Sequence, residues 1–156
     1  MRQFFLFDTA PEATYDGIIE LVSVALGTPV ALLSLVDDTR QFFKAARGLP
    51  EPWAGLRQTA LSHSICQHVV AMDGELVVDD ALSHPLVEGN LAIKDLGVIA
   101  YLGRPVHDLD GCAVGSLCAI DTKPRCWTYS DRRMLDLIAR MADRVIAADA
   151  LQRPAA

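Results

Sequence analysis

Residues Val30–Val36 read VALLSLV, a run in which only Ser34 is polar. It is too short for an ordinary helix and shows no alternation, so it predicts a strand buried on both faces. Asp37-Asp38-Thr39 turns the chain, and QFFKAAR (Gln41 to Arg47) returns as its antiparallel partner. A second pair follows the same logic. VIAYLGRPV (Val98 to Val106) and CAVGSLCAI (Cys112 to Ile120) flank HDLDG, whose Asp110-Gly111 is a strong hairpin signal. ELVVDD (Glu75 to Asp80) adds one short strand. Hairpins at both ends of the strand series predict a mostly antiparallel sheet.

Helical signals surround these strands. TAPE (Thr9 to Glu12) has the spacing of a capping box, Ile18, Leu21, Val22 and Ala25 recur at helical intervals, and Gly27 supplies the stop. Ser62 is placed to cap a middle helix ending near Met72-Asp73-Gly74, with Leu61, Ile65 and Val69 on one face. Ser130, with Asp131 in the first turn, is placed to cap the last helix. That helix carries two apolar stripes: Met134, Ile138, Met141, Val145 and Ala148, then Leu135, Ala139, Ala142 and Ile146. Residues 81–97 are irregular, with one or two short helical turns, and the tail from Gln152 to Ala156 reads as loose. The order predicts an α+β fold in which helices pack on the sheet.

A chain of 156 residues suits one domain, and 51% apolar with 22% charged residues is a globular composition. The net charge of −6 gives no basic face for nucleic acid or an anionic membrane, so neither is an expected partner. The apolar runs are too short to span a bilayer, and MRQFFLF is too short for a signal peptide, so a cytoplasmic location is expected. Cys66, Cys112, Cys118 and Cys126 contain no CxxC pair, which favours free thiols.

The chemistry-bearing segment is SHSICQH, Ser62 to His68. On a helix His63 neighbours Cys66, but His68 projects on nearly the opposite side, so the three cannot share a metal. Cys66 fits either a nucleophile in a first helical turn or a small buried hydrophobe at a staple position, with packing the simpler reading. Cys112 and Cys118 lie six apart on one strand, about 20 Å in strand rise, and cannot pair with each other. Asp37-Asp38 and Asp79-Asp80 read as turn chemistry rather than paired acid–base carboxylates. There is no glycine-rich phosphate loop, GxSxG or HExxH.

Five consecutive blocks carry a family resemblance: TPVALLSLVDDTRQFFKAARGL, LSHSICQHVV, LVVDDALSHPLVEGN, IAYLGRPV and GCAVGSLCAIDTKPRCW. Together they resemble a GAF domain of the bacterial sensory type, part of a PAS-like superfamily, across nearly the whole chain (1–156 as one domain). The resemblance implies a central antiparallel sheet of five to six strands, order near 2-1-5-4-3. Terminal helices, and with them the middle helix, would cover one face. Residues 80–97 would form a loop and short-helix lid on the other, over a small-molecule pocket.

The implied function is a sensory or regulatory module of bacterial signal transduction, binding a small molecule, dimerising through its terminal helices, or both. A kinase or cyclase output domain in a longer protein is the partner such a module would serve. Phe43, Asp80, His84, Asn90, Tyr101 and Arg104 are the expected ligand-binding residues, with Arg104 beside Tyr101 suiting an anionic or planar ligand. No cofactor is identified, and no catalytic residue or metal is expected. The Asn-Lys-Phe-Asp-Glu signature of cyclic-nucleotide-binding members is not matched. Covalent bilin attachment is not expected, since no cysteine lies between Cys66 and Cys112. The alternatives are a ligand-free dimerisation module, or an enzyme resembling a free methionine-(R)-sulfoxide reductase, which needs two thiols within disulfide reach.

Overall fold

On β1 (Val30–Val36) successive side chains point to opposite faces of the sheet, and both faces are covered. Ala31, Leu33 and Leu35 join one apolar cluster, while Val30 and Leu32 join another. The same alternation runs through β6 (Ala113–Asp121), with Leu117 and Ala119 on the first face and Cys118 and Ile120 on the second. The computed structural model describes residues 3–153, which form three layers around these two clusters. Pro154 to Ala156, part of the tail expected to be loose, lie outside the described residues.

The sheet has six strands, adding β2 (Arg40–Arg47), β3 (Gln58–Ala60), β4 (Leu76–Val78) and β5 (Ala100–His107) to β1 and β6. All neighbours are antiparallel, in the order β3-β2-β1-β6-β5-β4. Apart from β3, this is the expected order. β3 is a three-residue edge strand after the short α2 (Trp53–Leu56), too brief to leave a period in the sequence. Asp37 Oδ1 accepts hydrogen bonds from the backbone of Thr39 and Arg40, both 2.9 Å, which closes the β1–β2 turn.

The first face carries α1 (Ala13–Leu26) and α5 (Tyr129–Gln152). α1 buries Ile18, Ile19, Val22 and Leu26, and stops where Gly27 enters the left-handed region at φ 67°. Its expected capping box does not form: Thr9 donates to the Leu6 carbonyl, and Glu12 is drawn to Lys44 and Arg153 instead. α5 starts two residues earlier than a cap at Ser130 predicts. Thr128 Oγ1 accepts from the Asp131 amide (3.0 Å), and Asp131 accepts from the Thr128 amide (3.1 Å), a complete capping box.

The second face carries α3 (Cys66–Met72), α4 (Leu91–Leu96) and the loops joining them. Here the middle helix departs from expectation, since Cys66 and Val69 belong to the cluster opposite the terminal helices. The cause is local. Leu61–His63 form a separate 3₁₀ turn, and the backbone extends at Ser64 before α3 begins. Ser64 Oγ, not Ser62, accepts from the Gln67 amide (3.1 Å). Residues 80–97 complete this face as the expected lid, with 81–97 inserting Ala81, Val87, Ala92 and Leu96 among Val78, Val98 and Tyr101. Among the described residues no helix is long and apolar enough to cross a membrane.

Candidate functional site

Polar side chains are out of place in a layer sealed by Leu32, Val69, Val98 and Ile120, yet the sheet floor beneath the lid holds a row of them. Ser34 and Ser116 are paired across β1 and β6, and both are fully buried. Ser34 donates to Gln41 Oε1 at 2.9 Å. Gln41 Nε2 donates in turn to Thr59 Oγ1 (2.8 Å) and the His63 carbonyl (3.0 Å). On the other side Tyr101 Oη lies 2.8 Å from Ser116 Oγ and donates to Cys66 Sγ at 3.2 Å. A phenol has one proton, so Ser116 is the donor to Tyr101. Each buried polar group costs several kcal/mol unless paired, on the order of 1–3 by mutational scales, and here each is paired.

Glycine makes room for this arrangement. Gly103 follows Tyr101 on the same face of β5 and pairs with Cys118. A Cβ there would lie 2.6 Å from Tyr101 Cε1 and 2.7 Å from Oη, so the ring rests where a side chain would stand.

Above the row is a void of about 10 Å³, lined by Gln41, His63, Cys66 and Tyr101 with apolar residues such as Ala92 and Leu96 of the lid and Val98 just after it. Such a space holds at most one water. Two side-chain contacts fasten the lid over it: His63 Nε2 to Asp95 Oδ2 at 2.7 Å, and Asn90 Nδ2 donating to the Ser64 carbonyl at 3.0 Å. Larger clefts are open grooves on the outside. One of about 470 Å³ runs between α1 and β2, but its Lys44 and Arg47 are paired with Glu12 and Glu20. Among the described residues no group of three or more His, Cys, Asp or Glu is placed to hold a metal.

Burial and hydrogen bonding split the two thiols of this layer. A hydrogen bond from Cys118, opposed by burial and reinforced by the Tyr101 hydroxyl, lowers the Cys66 thiol below its ordinary range. Burial, first of all, holds Cys118 and Tyr101 well above theirs.

The six expected ligand residues divide by position. Phe43 and Tyr101 lie buried in the lid-face cluster, and Tyr101 lines the void. Asn90 caps α4, accepting from the Ala92 amide (2.9 Å), and so serves as a lid fastener. Asp80 Oδ1 accepts from the Leu82 amide and His84 Nδ1 from the Leu86 amide, so both organise turns away from the void. Arg104 is on the other face, bound to Glu75 (3.0 Å) and Asp136 (3.4 Å). It stands three residues from Tyr101, and an odd spacing on a strand sends two side chains to opposite sides. Ser34, Gln41, Thr59, His63 and Ser116 lie at the site but outside the expected set. The one available signal was a lone serine in each of two otherwise apolar strands.

Comparisons with known proteins agree with this architecture. The chain is 30% identical over 141 residues to a cyclic di-GMP phosphodiesterase of Pseudomonas aeruginosa, covering 89% of this chain and 23% of that protein. It is 33% identical over 61 residues to a diguanylate cyclase of Escherichia coli, covering 39% and 18%. The chain therefore spans less than a quarter of the length of either relative. A solved domain assigned to a two-component sensor histidine kinase of Sinorhizobium meliloti superimposes with a TM-score of 0.70 at 22% identity, over 94% of this chain and 100% of that one, a likeness of fold. The family model for the GAF domain matches residues 10–146, and the chain belongs to that family.

Proposed function

We propose that the whole chain acts as one sensory or regulatory GAF module, in which the lid face receives a signal and the terminal helices pass it on. Membership of the family and the likeness to a phosphodiesterase, a cyclase and a kinase domain support a signalling or regulatory role. The carrying observation is the paired polar row Ser34–Gln41–Thr59 and Ser116–Tyr101–Cys66 beneath a lid fastened by His63–Asp95 and Asn90–Ser64. A layer built only for packing gains nothing from such a row, because apolar groups of the same shape would serve. With a void of about 10 Å³, a small molecule enters only when residues 81–97 lift, displacing Ala92 and Leu96 from the floor.

The test is native mass spectrometry of the freshly purified chain, followed by thermal-shift screening of small polar metabolites. Expected is a bound mass or a melting shift that Gln41→Leu abolishes. No ligand, together with lid amides as protected from hydrogen exchange as those of β1, would overturn ligand sensing.

For output, the module is proposed to dimerise through α1 and α5. Leu21, Val24, Met134, Leu137 and Met141 are exposed on these helices, and they form the surface a second copy would cover. Light scattering should give a dimer, shifted to monomer by Leu137→Lys or Met141→Lys. Val145 is a poorer probe, since it packs partly against the core. A monomeric wild type at micromolar concentration would remove the dimer.

A second reading has one observation in its favour. Cys66 and Cys118 are within reach of each other, as a thiol-dependent sulfoxide reductase requires. Turnover of free methionine sulfoxide with a thiol reductant, lost in Cys66→Ser and Cys118→Ser, would establish it; no turnover ends it.

A further inference from the structure

The polar row ends on sulfur. Cys66 Sγ and Cys118 Sγ lie 4.0 Å apart, and both residues are buried, 2% and 0% exposed. They come from different elements, Cys66 from the first turn of α3 and Cys118 from β6, so a bond between them would join the lid-face helix to the sheet. The two are not equivalent. Cys66 lines the void and accepts from the Tyr101 hydroxyl, whereas Cys118 lies behind it, against Leu32 and Gly103 in neighbouring strands. A packing cysteine needs no hydroxyl donor, and a phenol aimed at a sulfur stabilises the thiolate form. The other two cysteines, Cys112 and Cys126, are exposed and free.

We propose that Cys66 and Cys118 form a peroxide-sensitive dithiol site, with Cys66 the attacking and Cys118 the resolving thiol. This rests on the regulatory reading of the lid face, and names an oxidant as the signal. The void itself is too small for a hydroperoxide, so a small one reaches Cys66 only as the lid opens. The Cys66 thiolate attacks the distal peroxide oxygen, the O–O bond breaks, and the departing alkoxide or hydroxide takes a proton to leave as alcohol or water. Cys66 is now a sulfenic acid, oxidised by two electrons. Cys118 gives up its proton and attacks the Cys66 sulfur, the S–O bond breaks, and hydroxide leaves as water with that proton. The sum is two thiols and one hydroperoxide giving a disulfide, one alcohol (or water) and one water. The sulfurs must close from 4.0 Å to about 2.05 Å, which draws the head of α3 onto β6.

The direction of the ionisations agrees with these roles. Cys66 is the thiol held low and Cys118 the one held high, so the first is the nucleophile and the second waits for a sulfenic acid to attack.

The experiment uses the chain with Cys112→Ser and Cys126→Ser, treated with hydrogen peroxide, then denatured and alkylated for intact mass. Expected is a species that has lost two hydrogens and both alkylation sites. Cys118→Ser should stop at a sulfenic acid that dimedone traps, Cys66→Ser should leave Cys118 reduced, and Tyr101→Phe should slow oxidation about tenfold, the loss of one hydrogen bond to a charged sulfur. Should a site variant fail to fold, non-reducing peptide mapping of the oxidised wild type still decides, by the linked peptides of Cys66 and Cys118. The inference is overturned if both thiols stay alkylatable at peroxide levels that oxidise Cys112 and Cys126 in the wild type. It is equally overturned if methionine sulfoxide oxidises the pair and peroxide does not. Failure here with a lid-face ligand still bound sinks the switch alone; a peroxide-formed disulfide in a chain that binds no ligand sinks ligand sensing alone.

Discussion

Tyr101 holds the lid-face chemistry together through one oxygen, which meets both Ser116 and Cys66. That oxygen is where it is because Gly103 leaves the ring a resting place. Gly103→Ala should therefore act twice. Overpacking against a ring that has nowhere to go costs about 1–3 kcal/mol, read from denaturant midpoints. Displacing the hydroxyl should also raise the pH at which Cys66 reacts with iodoacetamide under native conditions, whereas an unchanged pH profile would show that Tyr101 does not set the thiol. The pair Gly103 and Tyr101 is legible in the sequence only once strand parity is applied. The same parity removes Arg104 from the site, as three steps along a pleat reverse the face. Ser34 and Ser116 were visible as isolated polar residues in VALLSLV and CAVGSLCAI, but their meaning lies in register. Which residues sit opposite each other across β1 and β6 is a property of two distant segments, and no local pattern contains it.

The elements were readable where a local period or turn chemistry fixes them. Both hairpins, α1 and α5 follow from apolar runs and Asp turns, whereas the strand order, apart from β3, was implied by the family resemblance alone. What periodicity could not resolve was the choice between faces. α5 offers two apolar stripes, and the buried one is Leu135, Ala139, Ala142 and Ile146 with Ile138, because small residues allow close approach to the sheet. α3 shifted to the lid face because a 3₁₀ turn and an extended Ser64 precede it. One histidine connects these layers. His107, near the end of β5, binds Asp143 of α5 (2.9 Å) and Asp73, the residue that ends α3 (2.7 Å). Arg104, Asp136 and Arg140 line the same cleft. Burial disfavours the charged ring, but the two carboxylates outweigh it, and the pKa of His107 is raised above 6.5. A raised folded-state value means stability fully present below the unfolded pKa and lost as pH rises through the folded one. The melting temperature should fall between mildly acidic and mildly alkaline buffer. His107→Gln should flatten that part of the profile; an unchanged profile would show that the clamp contributes nothing.

Across the whole molecule the two ends of the described chain meet on a single buried cation. Lys44, the bulged residue of β2, has a side chain 0% exposed, and its Nζ reaches Thr9 Oγ1 (2.6 Å), the Ala10 carbonyl (2.7 Å) and Glu12. Glu12 also takes Arg153 at 2.7 Å from both carboxylate oxygens, and Arg153 binds Asp149, which accepts from Tyr15 Oη at 2.6 Å. The segment before α1, the second strand and the last turn of α5 are thus one ionic unit. Hydrogen bonds from Lys44 and then Arg153 hold the Glu12 carboxyl below its ordinary range. A depressed carboxylate contributes stability above its unfolded pKa and loses it as pH falls through the folded value, so this unit weakens in acid. Glu12→Gln removes the anion and leaves Lys44 buried without it. A buried pair broken this way costs about 3–5 kcal/mol, but Glu12 is 37% exposed, and solvent screening reduces the expectation to about 1–2. Adding Lys44→Met removes the stranded cation, so the double variant should be more stable than Glu12→Gln alone. Hydrogen exchange at Asp149 to Gln152 should quicken in both, since in each Arg153 keeps Asp149 of its own helix but loses its ion pair to Glu12 before α1. If the double variant is instead the weaker, Lys44 is held by Thr9 and Ala10 independently of Glu12, and the chain ends are not coupled through it.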